Sequence, residues 1–98
     1  MTLCFNKNLN IYIYEMACWI NNDHLCISPT HRKDPILVKM DPAFIEMDKN
    51  QFVITNQVGL IEAEVMFGLN EIFIHHKSHG GMMCELNQEV VSFFNQFR

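Results

Sequence analysis

The chain has 98 residues, 49% of them hydrophobic and 18% charged, with a formal net charge of −4. That length holds one domain spanning residues 1–98 with a modest core, and the charged share falls below the usual quarter. The acidic balance argues against DNA or RNA as a partner, because nucleic-acid binders carry a basic stripe, whereas the one basic cluster here, His31, Arg32 and Lys33, runs straight into Asp34.

No apolar run reaches the roughly 18 uncharged residues of a membrane-spanning helix. The four cysteines, at positions 4, 18, 26 and 84, permit disulfides on count alone. Residues 1–20 lack the basic start of a secretory leader, and Glu15 interrupts their apolar run. Three of the cysteines sit among apolar neighbours, where a thiol acts as a small hydrophobe. The expectation is reduced thiols in a cytoplasmic protein.

In chain order, residues 9–20 alternate two largely apolar faces rich in Ile, Tyr and Trp, which predicts a central strand. Tyr12, Tyr14, Met16, Cys18 and Ile20 share one face. Asn21, Asn22 and Asp23 tolerate left-handed backbone and mark a turn, and residues 24–28 return, giving a hairpin over 9–28. The segment from Pro29 to Pro35 reads as the longest loop, followed by a short strand at 36–40. Asp41 and Pro42 punctuate the chain. Residues 43–47 and 51–55 then flank Asp48, Lys49 and Asn50 as a second hairpin.

Residues 57–67 carry two patterns. Asn56 suits a helix N-cap, and the Glu, Ala, Leu and Met that follow favour helix. On a helix, however, Glu62 would fall inside the apolar stripe of Val58, Val65 and Leu69. As a strand the pattern is cleaner, with Ile61, Ala63, Val65 and Phe67 inward and Glu62 and Glu64 outward. A strand over 71–76, a glycine-ended loop and a returning strand at 82–86 follow. Asn87 then caps a helix over residues 87–97, whose Val90, Phe93, Phe94 and Phe97 line one side together with Leu86. That helix is too short to stand alone. The fold class expected is α+β, a mainly antiparallel β-sheet of hairpins in a meander, packed by this C-terminal amphipathic helix.

Two constellations carry candidate chemistry. His75, His76, His79 and Cys84 offer imidazole and thiolate ligands for zinc or copper, although on a strand the first two histidines point to opposite faces. Cys18 and Cys26 flank the first hairpin turn with His24 beside them and His31 nearby, a second metal or redox candidate with no recognised spacing. The nucleophile, phosphate-loop and zinc-protease signatures are absent, which points away from an enzyme. No cofactor is called for beyond the candidate metal.

The apolar surplus of eight Phe, seven Met and one Trp exceeds what so short a chain readily hides, and surplus apolar surface becomes an interface. The leading expectation is therefore a small non-catalytic protein-binding domain: an inhibitor, adaptor or immunity-type protein, as phages and other mobile elements encode. Glu62, Glu64, Glu71, Tyr12 and Tyr14 are the expected contacts, with a homodimer as one use of the surplus. The alternatives are the metal or redox domain above and a small-molecule module with an apolar pocket between sheet and helix.

Overall fold

The computed structural model describes residues 16–28 and 34–98. Tyr12, Tyr14, Cys4, His31 and the first half of the expected 9–20 strand lie outside the described residues. Eight strands and one helix follow in chain order: β1 (Ala17–Asn21), β2 (His24–Ser28), β3 (Ile36–Lys39), β4 (Ile45–Asp48), β5 (Gln51–Thr55), β6 (Ile61–Phe67), β7 (Glu71–His76), β8 (Gly80–Glu85) and α1 (Gln88–Asn95). The strands form two antiparallel meanders, a three-stranded sheet of order β1-β2-β3 and a five-stranded sheet of order β4-β5-β6-β7-β8. The α+β class holds, and the strands divide into two sheets where the sequence pattern suggested one.

The division falls at Asp41 and Pro42. Proline has no N–H to give a ladder, and Asp41 turns its carboxylate onto the Ala43 N–H at 3.1 Å, starting a single 3-10 turn over Pro42–Phe44. This turn replaces the strand expected from residue 43, so β4 begins two residues later. The β4–β5 hairpin closes on a two-residue turn in which Lys49 takes φ 61°, the positive φ that such hairpins demand.

Residues 61–67 are strand, the cleaner of the two sequence patterns, but Ile61, expected inward, is exposed because the β5–β6 register shifts beside it, between Ile54 and Thr55. Asn56 does act as a cap, but of a loop. Its side-chain oxygen accepts from the Val58 and Leu60 N–H groups, both at 3.0 Å, and Leu60 O accepts from its own N–H at 2.9 Å. Gly59, at φ 88°, supplies the left-handed step. The chain therefore reverses at once into β6 instead of continuing as helix.

One cluster of buried side chains draws on both sheets, from Cys18, Leu25, Ile27 and Val38 to Phe52, Ile54, Val65, Ile72 and Ile74. The sheets meet along a seam where Met16 bridges Cys84 in parallel, held by the Glu85 N–H on Met16 O at 3.2 Å. Asn87 accepts the Glu89 N–H at 2.8 Å as N-cap of α1 and donates its amide to Cys18 O at 2.8 Å, so one residue ties helix to seam. Val90 and Phe94 are fully buried, and Leu86, Phe93 and Phe97 pack against the cluster. The Phe94 ring lies 5.0 Å from Phe52 and 5.7 Å from Phe67. Because Phe94 has no exposed surface and four ring neighbours, Phe94→Ala should cost about 3–5 kcal/mol, read as a lower urea midpoint at unchanged slope.

Candidate functional site

Strand alternation sends Ile45, Phe52, Ile54, Ala63, Val65, Ile72, Ile74, Met82 and Cys84 to the core. The opposite face of the same five strands looks outward, and its register is fixed by the ladders. Gln51 stands beside Met66, Met66 pairs with Phe73, and Phe73 pairs with Met83, forming one row across the sheet. The next row runs Glu46, Val53, Glu64, His75 and Gly81. Gly81 carries no side chain, and beside it Met66, Phe73, His75 and Met83 line a shallow hollow of about 180 Å³. Val53 is 7% exposed although it sits on this outer face, because Glu46 and Glu64 flank it.

Around this apolar row stand the carboxylates of Glu46, Asp48, Glu62, Glu64, Glu71 and Glu85. Lys77 meets Glu62 at 3.0 Å, with the Asn56 amide at 3.3 Å, and these partners hold the Glu62 carboxyl below its usual range, the Lys77 hydrogen bond foremost. His75 Nδ1 lies 3.7 Å from Glu64. Among the described residues no ion pair reaches Glu46, Asp48, Glu71 or Glu85. Glu71 and Glu85 are direct cross-strand partners, an arrangement of like charges that costs stability.

Of the residues named from sequence, Glu62, Glu64 and Glu71 thus share this one face. Sequence reading missed Met66, Phe73 and Met83, which lie in the phase opposite the core positions of their strands. The signal was present in the alternation of β7 and β8 but needed the pairing register to align it. A second concavity, about 370 Å³, opens where β2 and β3 face the β5–β6 loop, lined by His24, Lys39, Asp41, Asn56 and Glu62. Between helix and sheet, where an apolar ligand pocket was one expectation, the rings of Phe52, Phe67, Phe94 and Phe97 pack on one another.

Among the described residues, the histidine and cysteine constellations do not come together. His75 points outward and His76 inward. Cys84 pairs with Ile72, four residues along β7 from His76, a separation of roughly 13 Å on a strand. Cys18 faces the core, whereas Cys26 lies on the other side of its sheet between Trp19 and Leu37. Among the described residues, no group of three or more His, Cys, Asp or Glu side chains is placed to hold a metal ion. Cys18 and Cys84 instead lie near each other across the seam, where each perturbs the other's acidity.

His76 has a structural task. Only 7% exposed, it accepts the Ser78 N–H on Nδ1 at 3.0 Å and packs 4.9 Å from the His79 ring, shaping the β7–β8 turn. Burial, and then the neighbouring His79 charge, push its pKa below the usual histidine value, against the opposing pull of Glu62. The unfolded chain therefore binds a proton more readily than the folded one. This contribution to stability is whole above about pH 6.5 and is lost as pH falls through the depressed folded value.

No protein-family model, curated protein or solved structure matches the chain.

The His76 environment predicts that Tm declines as pH drops from about 7.5 to 5. His76→Asn keeps an acceptor for the Ser78 N–H without a titrating ring and should flatten that decline, which thermal unfolding followed by circular dichroism across the pH range would show.

Proposed function

We propose that this protein is a non-catalytic protein-binding domain that presents the outer face of its five-stranded sheet to a partner with basic side chains set around an apolar one. The observation that carries this reading is the row Met66, Phe73 and Met83, crossing three adjacent strands, inside a border of carboxylates in which Lys77 pairs with Glu62. Thioethers and an aromatic ring give polarisable, adaptable contact area, and aromatic residues and Met are enriched in interface cores. The carboxylate border supplies steering and discrimination against acidic partners. Residues that face each other at like charge, such as Glu71 and Glu85, gain from a cation placed between them.

The same border argues against this face pairing with a second copy of the chain. A two-fold contact is isologous, so carboxylates would meet carboxylates. A homodimer, expected from the apolar surplus, would use other surface, such as the exposed Val58 and Leu60 of the loop pinned by Asn56. No helix among the described residues is long and apolar enough to cross a membrane, in keeping with a cytoplasmic inhibitor, adaptor or immunity-type protein.

Affinity capture of partners from the source cells, followed by binding measurements on the purified pair, tests the reading. Phe73→Ala combined with Met83→Ala should weaken binding by a factor of about 30, the scale of an interface hot spot, and binding should fall as salt rises. Glu71→Gln with Glu85→Gln should slow association, while Leu69→Ser, on the β6–β7 turn, should change nothing. A partner that binds the Phe73/Met83 variant as tightly as the parent would remove this face from consideration.

A further inference from the structure

We propose that Cys18 and Cys84 are an oxidative modification site, closing to an intramolecular disulfide that locks the seam between the two sheets. The seam places them together. Met16 stands opposite Cys84 across the parallel bridge, and Cys18, two residues further along the same chain, shares the face of Met16. Cys18 therefore lies diagonal to Cys84 on the core side, in the same buried cluster and near enough that each thiol perturbs the other. Both are free thiols, 2% and 1% exposed. Cys26, the third described thiol, is on the opposite face of the three-stranded sheet.

The two thiols perturb each other's acidity, favouring a thiolate at one sulfur and holding the proton on the other. Either sulfur can react first with the same balance. Hydrogen peroxide is the oxidant class, small enough to enter when the seam opens locally. The Cys18 thiolate attacks one peroxide oxygen and the O–O bond breaks, leaving a sulfenic acid on Cys18 and hydroxide, which becomes water with the proton Cys18 gave up. The Cys84 sulfur then attacks Cys18. The S–S bond forms, the S–O bond breaks, and the departing hydroxide takes the Cys84 proton as a second water. Two thiols and one peroxide thus give one disulfide and two waters, the sulfurs losing two electrons and the peroxide gaining them.

Burial makes the reaction gated. The seam rests on the Glu85 N–H to Met16 O bond and on the Asn87 amide to Cys18 O bond, so local opening there exposes both sulfurs together. Once formed, the disulfide closes a loop over residues 19–83, restricts the unfolded chain and raises stability.

The full chain, reduced and then treated with equimolar hydrogen peroxide in native buffer, tests this. Its mass should fall by about 2 Da, the two hydrogens of the thiols. Non-reducing digestion should recover Cys18 linked to Cys84, and Tm should rise by about 10 °C and return with dithiothreitol. The double variant Cys4→Ser, Cys26→Ser keeps only the proposed pair and should react as the parent does, whereas Cys18→Ser and Cys84→Ser should each lose the link. The mapping is made on the parent chain, so it stands even if a serine variant fails to fold. Recovery of Cys18 and Cys84 as free thiols, as sulfinic acids, or linked to Cys4, Cys26 or another chain overturns the proposal, as does a link that leaves Tm unchanged. None of these outcomes bears on the outer face as a binding surface.

Discussion

The structure depends on the seam between β1 and β8. A three-stranded meander and a five-stranded meander each have one apolar face, and each must cover it. The break at Asp41 and Pro42 lets the chain fold one against the other, and the parallel contact of Met16 with Cys84 fixes how they join. Asn87 sits at the junction and uses both ends of its amide, one on the first turn of α1 and one on Cys18 O. Helix placement, seam geometry and core closure are therefore one event. Removing the helix would strip Phe52 and Phe67 of the ring that covers them.

With the inner faces committed to this core, the outer face of the five-stranded sheet is where chemistry is free to vary. A face that served only solubility would mix both signs of charge. This one sets a thioether and aromatic row within carboxylates and tolerates Glu71 opposite Glu85. The proposed binding role would account for such a local conflict. The shallow hollow beside Gly81 suits a protruding side chain better than an enclosed small molecule.

The buried polar groups follow the same economy. His76 enters the core with its Nδ1 already occupied by the Ser78 N–H, so its burial leaves no unmet acceptor at that atom and suppresses its charge. Cys18 and Cys84 partner each other. In each case the nearest neighbour in the fold accounts for the side chain's state.

The hairpins at β1–β2 and β4–β5, the β7 strand and the C-terminal helix were legible in the sequence, because turn chemistry at Asn22 and Lys49, alternation over 71–76 and the period of Val90, Phe93, Phe94 and Phe97 are local properties of the chain. The acidic residues at 62 and 64 were legible as outward-facing for the same reason. What alternation cannot state is register between strands far apart in sequence. Only the fold placed Met66, Phe73 and Met83 in one row, set Cys84 against Cys18 and away from His76, and turned Asn56 from a helix cap into a loop clamp. Local pattern decides which way a side chain points; long-range pairing decides what it meets there, and that pairing is set by burying two sheets in a single core.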